Sequence, residues 1–195
     1  MRPRERVEAL IALGGNLGDP AATLAAAARR LAAHPDIDLL GCSALYRSRA
    51  VGPGAQPDYR NAVVRVATPL SAEALLALLH RIESAFGRQR RIRWGARTLD
   101  LDLLAWGGRC CDRPELRLPH PRMMERPFVL WPLLDVAPGW IHPRSGIPAA
   151  EAASRVDEGG CRRVAPPWRW MAQAENAGDG GHILPDRDRT PRKTP

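Results

Sequence analysis

"RIESAFGRQRRIRWGARTLDLDLL", residues 81–104, runs from the end of a helix through a glycine stop and an arginine-rich loop into an apolar strand. Upstream, "SAEALLALLHRIESAFG" supplies Ser71 at its start, Leu75, Leu76, Leu79 and Ile82 at helical spacing, and Gly87 as the stop. Downstream, "TLDLDLLAW" alternates, so Asp100 and Asp102 project to one side while Leu99, Leu101 and Leu103 project to the other. A secure helix feeding a strand is half of an α+β unit. The other half lies at the N-terminus. "VEALIALGG" from Val7 predicts a short buried strand ending in a glycine turn. "GDPAATLAAAARRLAAH" predicts a helix with Asp19 as N-cap and Pro20 at its first position.

Between the halves, "DLLGCSALYRSR" and "DYRNAVVRVAT" alternate as strands and are expected to pair, with "VGPGAQP" as an irregular loop. After the second half come "ELRLPHPRM", a short helical stretch "RPFVLWPLLDVA", and room for one more helix in "PAAEAASRVDEGG". The order is roughly β-α-β-β-α-β, without internal repeats, and predicts an α+β sandwich of a mainly antiparallel sheet covered by helices. A chain of 195 residues suits one domain with an extra segment. The folded domain is placed at residues 1–160. Residues 161–195 are rich in Pro, Gly and Arg and read as a largely disordered tail in which Trp168 and Trp170 could dock.

Lys plus Arg total 29 against 21 Asp plus Glu, a formal charge of +8, which points to an anionic partner. Nucleic acid and a small polyphosphate both fit that charge. Cys42, Cys110, Cys111 and Cys161 show no CxxC spacing, which suits a reducing compartment. The basic N-terminus is followed by an apolar stretch too short for a signal peptide or a membrane span, with Glu8 at its start. A soluble cytoplasmic protein is expected.

Two neighbouring carboxylates repel, so a cation must sit between Asp100 and Asp102. An arginine would make a structural ion-pair cluster. Mg²⁺, a hard cation, would complete its shell with water and phosphate oxygens. Arg88, Arg90, Arg91, Arg93 and Arg97 are more cations than such a cluster needs, and this surplus favours the Mg²⁺-polyphosphate reading. "LGGNLGDP" matches neither a P-loop nor GxGxxG, and it reads as a tight strand-to-helix turn. His120, held between prolines before Arg122 and Arg126, suits a phosphate or ribose contact, although a lone histidine is as readily a structural donor. Tyr59 and Asn61 share a strand face and together suit a planar heterocycle, and each alone reads as structural.

Taken together and in order, "LGGNLGD", "GPGAQPDYRNAVV", "RIESAFGRQRRIRWGARTLDLDLL" and "LPHPRMMERPFVLWPLLDVAP" resemble the hydroxymethyldihydropterin pyrophosphokinase family over about residues 7 to 140. The resemblance implies a ferredoxin-like fold. It also implies transfer of diphosphate from ATP to the hydroxymethyl group of 6-hydroxymethyl-7,8-dihydropterin, giving AMP, in folate biosynthesis. By the match, two Mg²⁺ ions are shared by Asp100 and Asp102, and Arg88 and Arg97 stabilise the transferring group. Glu83, Arg90, Trp94, His120 and Arg126 line the ATP side. The pterin lies between Tyr59 and Phe128, read by Asn61 and by the backbone near Ser48 and Val51. The partners implied are small-molecule substrates, with no nucleic acid and no membrane, and the protein is expected to be a monomer.

Several positions depart from the family pattern. Gly15 replaces the usual Ser, Ala96 a Pro, His80 a frequent Gln, Pro121 an aromatic, and Arg49-Ala50 a proline-containing pair; the arginine loop is also a residue short. None of these removes an acid or a main arginine. One rival reading, a Mg²⁺-dependent nucleotidyl or phosphoryl transferase with a different acceptor, shares the acids and arginines; the other is a ferredoxin-like nucleic-acid binder. In the binder Asp100 and Asp102 would repel a phosphate backbone unless a metal were bound.

Overall fold

The computed structural model describes residues 5–50, 55–87, 95–156 and 160–172. Strand β1 (Val7–Gly15) is flanked in the sheet by antiparallel partners, and both of its faces are covered, so it carries apolar side chains on both. Ile11 and Leu13 are buried in one layer and Leu10 in the other. One neighbour is β4 (Tyr59–Thr68) and the other is β5 (Asp100–Trp106). Beyond β4 lie β2 (Asp38–Cys42) and β3 (Leu45–Ser48), both antiparallel to it.

The stretch expected as one strand is therefore two, divided at Ser43 and Ala44. There the chain makes non-ladder bonds: Val63 N–H donates to the Ser43 hydroxyl (2.9 Å), and Ala44 N–H donates to the Asp135 carboxylate (2.9 Å). With β4 inserted between β1 and β2/β3, and β1 between β4 and β5, two β-α-β units interleave in the ferredoxin-like manner.

Helix α1 (Pro20–Ala32) starts where expected, with the Asp19 carboxylate accepting from Ala22 N–H (3.1 Å). Helix α2 (Ala72–Ala85) starts at Ser71, whose hydroxyl accepts from Ala74 N–H (3.2 Å). Their apolar stripes, including Leu24, Leu31, Leu75 and Leu79, close over Ile11, Leu13, Val64 and Leu101. Each such leucine contributes about 2 kcal/mol by burial. On the other face α3 (Pro127–Val136) and α4 (Ala149–Arg155) cover Leu10, Val63, Leu104 and Ala105. A hairpin, β6 (Cys111–Arg113) and β7 (Leu116–Leu118), follows β5.

The segment expected as tail from residue 161 returns to the sheet before the described residues end at 172. Strand β8 (Arg162–Ala165) pairs antiparallel with β3, and α5 (Pro167–Ala172) packs on α1. Trp170 is fully buried, and its indole N–H donates to the Ser43 carbonyl (2.9 Å). None of the four cysteines is in a disulfide. Among the described residues no helix is long and apolar enough to cross a membrane.

Candidate active site

The strand register assembles the site. Gly14 on β1 stands opposite Asn61 on β4 and Asp100 on β5, while Ala12 stands opposite Val63 and Asp102. Directly opposed residues share a face, so Asp100, Asp102, Asn61 and, by alternation, Tyr59 all lie on the face away from α1 and α2. Gly14 keeps a recess between the acid and the amide. A Cβ there would lie 3.4 Å from Asn61 Oδ1 and 3.9 Å from Asp100 Cβ. Asn61 is itself fixed, since its Nδ2 donates to Ser48 Oγ (2.8 Å) and both side chains are buried.

Asp100 meets Arg97. Arg97 Nη1 reaches Asp100 Oδ2 at 2.5 Å, with both side chains about one-quarter exposed or less. Burial works against the charged guanidinium, but Asp100, Tyr59 and Asp102 outweigh it and hold the Arg97 pKa above its ordinary value. Glu83 is buried, and its Oε1 accepts from Leu101 N–H (2.8 Å), pinning the backbone between the two acids. His120 N–H donates to the Leu104 carbonyl (2.8 Å), which attaches the histidine segment to β5. Its Nδ1 accepts from Arg122 N–H (3.2 Å). Burial, followed by the Arg126 charge, depresses the His120 pKa against the pull of Asp102 and Asp100. With Nδ1 accepting, the neutral form of the ring carries its proton on Nε2. Arg126 feels both acids as well, although burial takes its pKa below the ordinary value; its guanidinium lies 5.7 Å from the Phe128 ring centroid.

Asn16 is the residue that sequence reading missed. Its Oδ1 accepts from Arg97 N–H (2.9 Å), its Nδ2 donates to the Pro57 carbonyl (3.0 Å), and its own N–H donates to the Arg97 carbonyl (3.0 Å). The stretch "LGGNLGDP", expected only to turn the chain, thus joins the segment carrying Arg97 to the segment before Tyr59. Two further bonds hold the Arg97 segment. Tyr59 Oη donates to the Gly95 carbonyl (3.2 Å), and Thr98 Oγ1 donates to the Phe86 carbonyl (3.0 Å). The expected site residues Val51, Arg88, Arg90 and Trp94, with Arg91 and Arg93, lie outside the described residues.

Among the described residues, the cation site that this arrangement offers is the carboxylate pair of Asp100 and Asp102. Asp100 and Asp102 share a face, and among the described residues no group of three or more His, Cys, Asp or Glu side chains gathers. A carboxylate pair is a poor match for zinc, whose sites are built mainly on nitrogen and sulfur ligands. It suits a hard divalent ion that keeps water and borrows oxygens from a bound phosphate.

The profile of the family described as 7,8-dihydro-6-hydroxymethylpterin-pyrophosphokinase matches residues 10–138. A 2-amino-4-hydroxy-6-hydroxymethyldihydropteridine pyrophosphokinase of Synechocystis is 44% identical over 164 residues, covering 84% of this chain and 82% of the relative. Its namesake in Haemophilus influenzae is 43% identical over 141 residues, covering 72% of this chain and 88% of the relative. Among solved structures, wild-type Plasmodium falciparum HPPK-DHPS with pteroate superposes with a TM-score of 0.61 at 13% identity, over 80% of this chain and 43% of that one. That likeness concerns the fold, and this chain spans less than half of the longer protein.

Proposed function

The chain belongs to the 7,8-dihydro-6-hydroxymethylpterin-pyrophosphokinase family, and we propose that the face carrying Asp100, Asp102 and Asn61 is where it transfers diphosphate from ATP to a pterin alcohol. The reaction moves the β,γ-diphosphate to the hydroxymethyl oxygen of 6-hydroxymethyl-7,8-dihydropterin and releases AMP, a step of folate biosynthesis. The observation that carries this assignment is the row Asp100–Gly14–Asn61, which sets an acid and an amide on either side of a residue without a side chain.

Asp100 and Asp102 are the ligands for Mg²⁺, two ions by the resemblance. When bound, the metal would offset phosphate charge and orient the diphosphate. Asn61 and Ser48 hold the pterin edge, and the ring lies by Tyr59 and Phe128. Arg97, paired with Asp100, is placed to meet the charge that builds on the transferring group. His120, with its proton on Nε2, and Arg126 donate to phosphate oxygens. Arg88, Arg90 and Trp94 act from the ATP side and Val51 at the pterin edge, as the resemblance assigns them. Phosphoryl transfer asks little covalent chemistry of a protein, so positioning carries most of the rate. The enzyme works as a cytoplasmic monomer on small-molecule substrates, and light scattering on the purified chain checks the monomer.

The test is AMP release from ATP and Mg²⁺ with and without the pterin alcohol. AMP should form only with the pterin. Asp102→Ala should abolish it, and Arg97→Ala should slow turnover by ~10²-fold or more while ATP binding persists. Turnover near normal in Asp102→Ala would remove the metal assignment, and AMP formed equally without pterin would remove the acceptor.

A further inference from the structure

The family profile ends at residue 138, and the chain comes back to the sheet well beyond it. Two residues at the start of that return lie beside groups of the acceptor side. Cys161 is 5% exposed and forms an apolar cluster with Ala44 and Tyr46, against which Phe128 and Trp131 pack. Tyr46 stands opposite Asn61 in the strand register, so this cluster borders the amide as well as the phenyl ring. The second residue, Gly160, has a φ of +77°, and a Cβ built on it would lie 3.4 Å from Arg49 Nε and 3.5 Å from its Cδ and Cγ. The stem of Arg49 therefore lies along the bare face of this glycine. Arg49 directly follows Ser48, the hydroxyl that receives the Asn61 amide.

We propose that Gly160 and Cys161 are specificity-determining residues of the acceptor site: Cys161 completes the cluster that backs the Phe128 ring, and Gly160 gives Arg49 its resting place beside Ser48. The proposal rests on the reading that the pterin lies by Phe128 and Asn61. Physically, a ring used as one wall of a slot holds its position only if something packs behind it, because interiors are close-packed and a missing neighbour is felt as a cavity. Arg49 is exposed and long, and its stem is ordered by the surface it covers. Both supports come from a part of the chain that the family profile does not include.

The experiment titrates the pterin alcohol against the whole chain with Mg²⁺ and a non-cleavable α,β-methylene ATP, for wild type, Cys161→Ala, Cys161→Ser and Arg49→Ala, and measures the ATP analogue's own affinity and the melting temperature of each. Cys161→Ala is expected to weaken pterin binding by about 3- to 10-fold, the effect of a small cavity, with analogue affinity unchanged. Cys161→Ser, nearly the same size, should bind close to wild type. Arg49→Ala, an exposed change without a folding risk, should weaken pterin binding about threefold at an unchanged melting temperature. If both alanine variants bind pterin within a factor of about two of wild type, or if pterin and analogue affinities fall together, the inference is overturned while the function stands. If wild type itself binds no pterin, the acceptor reading fails and the inference falls with it.

Discussion

Asn16 is nearly inaccessible at 3% exposure, yet its side-chain amide donates to the Pro57 carbonyl while accepting from the Arg97 amide. No other residue type of that size carries a donor and an acceptor side by side, which is why the two halves of its role can be separated by mutation. Asn16→Ala strands both partners and is expected to cost about 1–3 kcal/mol of stability. It should also lower kcat, because Arg97 N–H loses its side-chain acceptor while the bond from Asn16 N–H to the Arg97 carbonyl stays. Asn16→Asp keeps the acceptor for Arg97 N–H but loses the donor to Pro57, so the pterin KM should rise by more than kcat falls. Steady-state kinetics and a melting curve decide this. An alanine variant with wild-type kcat and melting temperature would reduce Asn16 to a turn residue.

At the scale of elements, β1 forms the floor of the site, and Gly14 is its one position between the acid and the amide. Gly14→Ala should leave the fold standing, since the new methyl meets nothing closer than 3.4 Å, while narrowing the recess. Turnover is expected to fall by about 10-fold or more at an unchanged melting temperature. Unchanged turnover would show that the recess is not used.

Helix α2 offers a pH test at its other end. Glu73 in its first turn accepts from Arg109 (2.7 and 3.0 Å) and also pairs with Arg113, tying the helix start to the chain after β5. The hydrogen bond from Arg109 is the main reason its pKa falls from 4.5 to about 2. A depressed carboxylate pKa means the pair stabilises the fold at neutral pH and loses that contribution as pH drops from about 4.5 towards 2. The pair is exposed, so the effect is small. The drop in melting temperature from pH 6 to pH 3 should be smaller in Glu73→Gln than in wild type; equal drops would count against the pairing.

Over the whole molecule, the part that departs furthest from expectation is the return of residues 162–172 to the sheet. Trp170 anchors it from a fully buried position against α1 and the Ser43 carbonyl, with Arg29 donating to the Met171 carbonyl at 2.8 Å beside it. Trp170→Ala should cost about 3–5 kcal/mol, read as a shift of the urea midpoint, and should expose the chain after residue 160 to limited proteolysis. A midpoint close to wild type would mean that β8 and α5 contribute little to the domain.

Helix and strand identity along most of residues 7–136 was legible in the sequence, because periodicities of 3.6 and 2.0 and the caps at Asp19 and Ser71 are local physics. The same alternation sufficed to place Asp100 and Asp102 on one face, and the ordered motifs sufficed for the family resemblance. Other features needed the folded chain. Which arginine meets Asp100, that Asn16 clamps Arg97 across 81 residues, that one expected strand divides at Ser43 and Ala44, and that Trp170 reaches Ser43 across 127 residues are all settled by contacts between distant segments. Those partners are brought together only by the sheet order and the packing of its two faces, and a lone asparagine in a glycine loop or a tryptophan in a proline-rich stretch carries no local mark of the partner it will find.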